Sequence, residues 1–254
     1  MLSSGESAFL VVVSMVVAVF VVALLNRFWP TNHRKLVNDV TGWQLGILGT
    51  TYGVILGFML STVWADFRKA ENDASLEAAS VLNIYRIAAE LPSPERDAMR
   101  ELALKYADVV VSQEWPAMQR QGESHVGGVV LAQMWEVLRE SKEEQADGVR
   151  VDHLTTVMSN LAERRSQREQ QRRSQLPGVM WVLLILGGIA TVVSSCALGN
   201  DTKWLHYCQV LALTFVVSVT LAAIADLARP YEGSVAVSST SFETALQTMR
   251  GKSF

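Results

Sequence analysis

Between Gly42 and Trp64 the chain reads GWQLGILGTTYGVILGFMLSTVW, 23 residues without a charge, long enough to cross ~30 Å of hydrocarbon as a helix. The following ADFRKAENDASLEAASVLNIYRIAAEL is charged and amphipathic, yet it contains no Gly or Pro before Pro92 that would end a helix. The reading is one long helix, half in lipid and half in water. Gly46, Gly49, Gly53 and Gly57 share one of its faces. Small residues at that spacing let two helix backbones approach closely, which is how helices associate where lipid supplies no hydrophobic drive. Another face carries Leu48, Thr51, Ile55, Phe58, Met59 and Thr62, with Asp66 at its polar end. Two readings of it stand: a stripe facing lipid or a neighbouring helix, and the wall of a pore narrowed by bulky apolar side chains.

Composition sets the frame. Half of the residues are hydrophobic, but 22 basic and 25 acidic side chains are also present, concentrated between about Asp66 and Gln175. That contrast indicates a membrane protein with one sizeable water-facing part. Ala8 to Leu25 is a further apolar run, closed by Asn26, Arg27, Phe28, Trp29 and Pro30 in a membrane-surface pattern. A cleaved signal peptide competes with this reading, but the run lacks a basic leading region and a small-residue cleavage site. Residues 27 to 42 read as a short polar connection. Val179 to Leu198 and Leu205 to Leu227 form the last two apolar runs, joined by a link too short for anything but an antiparallel hairpin.

The chain is therefore expected to be an all-α membrane protein with four transmembrane helices, two N-terminal and two C-terminal. The spans are placed at 8–25, 43–65, 177–198 and 205–228. A cytoplasmic helical domain at 66–176 lies between them, entered by the continuing second span, and a cytoplasmic tail follows at 229–254. In the middle region, Ser93 and Pro94 suit a helix start as N-cap and first helical residue. That helix is expected to stop at Pro116. A loop through Gln121, Gly122, Gly127 and Gly128 leads into a helix with Val130, Met134, Trp135 and Leu138 on one face, broken at Gly148. From Asp152 to Gln175 another helix carries Leu154, Val157, Met158 and Leu161. The tail ends in a short amphipathic stretch. No alternating apolar pattern of useful length predicts a strand.

Charge gives the orientation. Arg68, Lys69, Arg164, Arg165, Arg168, Arg172, Arg173 and Arg229 lie near membrane ends on the side of the middle domain, with Arg250 and Lys252 further along. The other side carries Arg27, Arg34, Lys35 and Lys203. The excess places both termini in the cytoplasm, although the first span alone, with its basic flank C-terminal, argues the reverse. The expected location is the bacterial cytoplasmic (inner) membrane, crossed several times.

Trp64-Ala65-Asp66-Phe67, Ala70, Glu77-Ala78, Leu82, Tyr85, Arg86 and Leu91-Pro92 before Arg96 form a pattern that resembles the bestrophin-like family of bacterial membrane proteins. Arg229-Pro230-Tyr231-Glu232-Gly233 after the last span is similar to that family's Arg-Pro-Phe and later Gly. The family is named for a distant likeness to bestrophins, pentameric chloride channels with four spans per subunit, both termini in the cytoplasm and a pore lined by the second span. The resemblance implies a homo-oligomer, pentameric by analogy, in the lipid bilayer and conducting a permeant anion. It makes Ile55, Phe58, Met59 and Thr62 pore candidates, with Thr51 and Asp66 on the same face. Calcium-gated bestrophins carry an acidic cluster after the last span. Here Pro230 to Val235 holds one carboxylate, and a calcium site, which takes six to eight oxygens, is not expected.

No cofactor is expected either. His33, His125, His153 and His206 have no partner at metal or catalytic spacing, and no phosphate loop or nucleophile motif occurs. An intramembrane enzyme lacks the polar constellation it requires. The arginines from Arg164 to Arg173 alternate with Gln and Glu just before a span, so lipid headgroups, an ion-attracting vestibule or plain solvent suit them better than nucleic acid. Glu77, among Ala74, Ala78 and Val81, calls for a partner such as Arg86 or an arginine of the helix before the third span, unless it faces a charged vestibule. Arg229 is placed to bond the last carbonyls of the fourth span or a lipid phosphate. Cys196 and Cys208 flank the short hairpin, as free buried thiols or as a disulfide. A channel and a non-conducting scaffold that recruits a partner protein are the two functions in play.

Overall fold

A computed structural model of the chain describes residues 4–120, 122, 124–143, 148–173, 176–233 and 235–251. Among the described residues ten α-helices run in the order α1 (Ser4–Phe28), α2 (Thr31–Lys35), α3 (Asn38–Ile87), α4 (Glu95–Val109), α5 (Trp115–Gln119), α6 (Val126–Glu143), α7 (Gly148–Arg173), α8 (Gly178–Ala197), α9 (Lys203–Leu227) and α10 (Thr240–Met249). A turn of 3-10 helix follows α3, and a π-helical turn, Val110–Glu114, joins α4 to α5. No strand occurs among the described residues. Among the described residues four helices, α1, α3, α8 and α9, are long and apolar enough to cross a membrane. The chain is an all-α, multi-pass membrane protein, because a span in lipid must satisfy its backbone internally and a helix does so.

Two compact units result, Met1–Ala65 with Gln175–Ala228, and Asp66–Ser174 with Arg229–Phe254. The 50-residue α3 contributes to both without interruption. In the first unit, α1 packs on α8 and α9 around a core of Ala18, Val22, Cys196 and Val210. Leu184, Gly188 and Thr191 of α8 are also buried. Tyr52 of α3 crosses to α8, donating from its hydroxyl to the Leu184 carbonyl at 2.8 Å. A methyl placed on Gly187 would come within 2.6 Å of that ring, and one on Gly188 within 2.9 Å of its hydroxyl. The two glycines are the slot into which Tyr52 fits.

The connection after α1 is more structured than a polar loop. Buried Arg34 of α2 donates to the carbonyls of Cys196 at 3.2 Å and Leu198 at 3.3 Å, and also to the Asn26 side chain. Asn38 exchanges two hydrogen bonds with the Gly199 backbone, at 2.7 and 2.8 Å. A side chain on Gly199 would meet the Lys35 nitrogen at 2.8 Å. These contacts tie the α1–α2 connection to the end of α8 and let α3 begin at Asn38. Both cysteines are free, Cys196 buried and Cys208 exposed on the outside of α9.

In the second unit, α4 packs on α6 and α10, and α6 on α7. The core takes Met99 and Tyr106 from α4, Met134 and Leu138 from α6, and Leu154, Met158 and Leu161 from α7. Phe242, Ala245, Leu246 and Met249 of α10 close it from the C-terminal side. Three local expectations are corrected. Pro94 sits at the N-cap and α4 starts at Glu95. The helical path does not stop at Pro116, because the π turn widens the backbone ahead of it and Pro116 falls in the first turn of α5, where its missing N–H costs nothing. Gly127 and Gly128 lie inside α6, not in the loop before it.

Replacing Tyr52 with Phe keeps the ring in its slot and removes one buried hydrogen bond. The expected loss is about 1 kcal/mol in reversible SDS unfolding. No loss would mean that the hydroxyl bond contributes nothing to α3–α8 packing.

Candidate functional site

Residue placement on α3 follows from 3.6 residues per turn. Tyr52, Leu56 and Val63 form its buried row in the membrane unit. The glycine row lies on one flank: Gly46, Gly49, Gly53 and Gly57 have no atom of the described residues within 4 Å of where a methyl would stand. On the other flank lie half-buried Ile55 and Met59, with exposed Asp66 in line with them. Thr51, Phe58 and Thr62 turn further outward and are exposed, and the Thr62 hydroxyl bonds the Phe58 carbonyl at 2.9 Å.

Directly opposite the buried row are Ile47, Thr50, Val54 and Ser61, all exposed, with Phe58 at their edge. Phe58 is 72% exposed and Val54 54%. Thr50 and Val54 escaped the sequence reading because nothing in an apolar run announces which face its own subunit will cover. The buried positions Tyr52, Leu56 and Val63 carry that information only once α8 is in place.

The second unit holds a different kind of site. Glu77 is fully buried and pairs with Arg168 of α7, which donates Nε to one oxygen at 2.7 Å and a terminal nitrogen to the other at 3.0 Å. The Tyr106 hydroxyl donates to Glu77 at 2.7 Å. Arg168 also donates to Glu114 at 2.8 Å, and Arg165 grips the same carboxylate with two bonds of 2.8 and 2.9 Å. Planar guanidinium matched to carboxylate in this bidentate way is the strong form of a charged hydrogen bond. Arg168 further stacks over the Trp115 ring, 5.5 Å from its centroid.

Local backbone features serve this cluster. Glu114 is the last residue of the π turn, which aims its side chain inward. Its carboxylate accepts the Gly127 N–H at 3.0 Å, at the N-terminus of α6 where unpaired amides and the helix dipole favour an anion. A methyl on Gly127 would lie 2.6 Å from both Glu114 and Arg165, so glycine is required there. Burial alone would raise the Glu114 pKa, but the bonds and charges of Arg165 and Arg168 outweigh it and hold the carboxyl below its usual 4.5. Burial, reinforced by Glu77, pushes the Tyr106 phenol well above its usual range. Each carboxylate of the cluster is paired with a guanidinium. Chemically the cluster is a clamp.

Around it, Asp73 of α3 accepts from Arg164 at 2.9 Å and Gln171 at 2.7 Å. Tyr231 reaches Gln171 at 3.3 Å and the Ala70 carbonyl at 3.4 Å, while Trp115 donates to the Val237 carbonyl at 3.0 Å. The residues after α9 are thereby sewn to α3, α5 and α7. Pro230 is buried and accepts from Val237, and Gly233 turns with a positive φ of 83°. Arg229 pairs with Glu232 at 3.5 Å. Tyr85 lies under the Arg100 guanidinium at 4.2 Å, and Arg86 is exposed, away from Glu77.

The bestrophin-like domain family matches residues 12–242, which takes in most of the first span, the other three spans, the clamp and the start of α10. The chain belongs to the bestrophin-like family. Solved structures carry the same fold at low identity. A bacterial bestrophin homologue from Klebsiella pneumoniae aligns with TM-score 0.72 at 13% identity over 97% of this chain and 99% of the other. A variant of that homologue gives 0.73 at 13% identity, with the same coverage of both chains. A further crystal structure of a membrane protein gives 0.74 at 12% identity, covering 96% of this chain and 98% of the other. No curated protein matches the sequence.

Arg168→Met leaves two buried carboxylates short of a partner, and the expected cost is about 3–5 kcal/mol in chemical unfolding of the second unit. Adding Glu77→Met should return part of that loss. A single variant as stable as wild type would show that the clamp is not what holds α7 to α3.

The depressed Glu114 pKa sets a pH dependence. The folded carboxyl binds its proton less tightly than the unfolded one, so its contribution is complete above about pH 5 and is lost as pH falls through the folded value. Thermal unfolding in detergent should be level near neutral pH and weaken below about pH 4.5, and Glu114→Gln should flatten that acid limb. An unchanged acid limb in the variant would contradict the assignment.

Proposed function

We propose that this bestrophin-like protein is a homo-oligomeric ion channel of the bacterial inner membrane, conducting anions such as chloride along α3. The observation that carries this is that α3, a central membrane span, leaves two faces unpartnered in a single chain. The glycine row offers a groove shallow enough for another subunit's backbone. The face opposite the chain's own packing presents Thr50, Val54 and Phe58, bulky apolar groups alternating with a hydroxyl, as a hydrophobic constriction does.

In this reading several subunits, five by analogy with bestrophins, close a ring whose axis is lined by α3. Thr51 and Thr62 edge the lining, Ile55 and Met59 turn toward the adjoining helices, and Asp66 stands exposed at the polar end of that row. The second unit forms the cytoplasmic vestibule, with both termini on that side, as the arginine excess favours. The clamp of Glu77, Glu114, Arg165 and Arg168 fixes the polar half of α3, so that the lining half keeps its rotation.

The test is chloride efflux from vesicles carrying the purified full chain, compared with Phe58→Ala and Val54→Ala. Widening the constriction should speed efflux severalfold in at least Phe58→Ala. Efflux unchanged in both variants would remove the constriction from these positions. A wild-type protein that passes no ion under any gradient would leave a membrane scaffold as the better description.

A further inference from the structure

The first unit contains a cleft that the channel reading does not use. It lies between α1, α8 and α9, has a volume of about 510 Å³, and is almost wholly apolar. It exists because facing side chains are small: Ala18 of α1 and Ala222 of α9 leave space that larger residues would fill. Its lining runs from Ser7 to Val21 along α1, about 21 Å at 1.5 Å per residue. The cleft therefore runs over most of the ~30 Å hydrocarbon core, parallel to the spans and to lipid acyl chains.

The two ends differ. One is closed by Val21 and Cys196, the latter at the far end of α8. The other, at Ser7, Trp181 and Ala225, falls at the ends of the three spans, where interfacial aromatics sit. The Ser7 hydroxyl there is buried, the residue being 9% exposed, and has no hydrogen-bond partner among the described residues. A buried hydroxyl without a partner is costly, and an acceptor oxygen would satisfy it. Midway, Ser14 and Ser218 bond each other across the cleft at 2.9 Å and offer nothing to a ligand. A narrow apolar slot with one unpartnered hydroxyl donor at the membrane surface matches an ester or phosphate oxygen followed by a hydrocarbon tail.

We propose that this cleft binds one phospholipid acyl chain per subunit, drawn from the leaflet at the Ser7 end, with a lipid oxygen accepting the Ser7 hydroxyl. The proposal is independent of whether α3 conducts. An apolar void of this size does not hold water stably, and in a bilayer the material at hand to fill it is hydrocarbon. Because lipid tails are as apolar as the cleft wall, retention rests on close packing and on the bond at Ser7.

The test uses the full chain, delipidated in mild detergent and titrated with phosphatidylglycerol carrying brominated acyl chains. The Trp181 signal is taken as the difference between the protein and its Trp181→Phe variant. Saturable quenching of Trp181 is expected, absent in Ala222→Phe, which fills the cleft, and shifted to higher lipid in Ser7→Ala. Should Ala222→Phe fail to fold, Ser7→Ala and the saturation of the unmodified chain still decide the matter. Quenching that rises without saturation, and equally in Ala222→Phe, means ordinary surrounding lipid and overturns the proposal. So does an unquenched Trp181 accompanied by disulfide-linked subunits in Ala222→Cys, which would place a second copy of the chain in the cleft.

Discussion

A guanidinium that is 1% exposed must be matched by carboxylates, and Arg168 meets that condition with two of them. Much of the second unit is arranged around it. Glu77 must face α7, which fixes the rotation of the polar half of α3. Glu114 must also arrive, and the helical path widens to a π turn to deliver it. Its second oxygen then needs a donor, which the first turn of α6 supplies through a glycine that no other residue could replace without a clash. Such a clamp adds little net stability over an apolar core, yet losing one partner is severe, so it specifies one arrangement of helices over others.

The membrane unit solves a different problem. Water-driven burial is absent between spans, so association depends on close fit. Tyr52 in the slot of Gly187 and Gly188 provides that fit within the chain, together with the ties of Arg34 and Asn38 to the end of α8. Gly42, Gly46, Gly49, Gly53 and Gly57 of α3 have no such occupant among the described residues. A helix that spends a glycine row on nothing would lose helix propensity without return, which is the physical case for a neighbouring subunit there.

Much of this was legible in the residues. Four spans, the unbroken α3 and the need of Glu77 for an arginine, either Arg86 or one before the third span, follow from hydropathy, the missing helix breakers and the cost of a lone buried charge. Arg168 itself was not distinguishable from its neighbours, because Arg164, Arg165, Arg168 and Arg172 repeat along one stretch and only packing selects among them. Glu114 and Gly127 gave no signal, since a π turn and a helix-terminal anion contact depend on residues more than ten positions apart. The outward face of α3 was blurred for a related reason: Thr50 and Val54 look like any apolar span until Tyr52 shows where the chain's own contacts lie.

The account turns on the glycine row of α3 meeting another subunit in a closed ring. Its most direct test is the mass of the purified protein in mild detergent, measured by light scattering with the bound detergent subtracted. The account predicts one closed assembly of about five 28.0 kDa chains that Gly53→Leu disperses. A monomer or dimer of the unmodified chain would leave no ring for α3 to line and would contradict it.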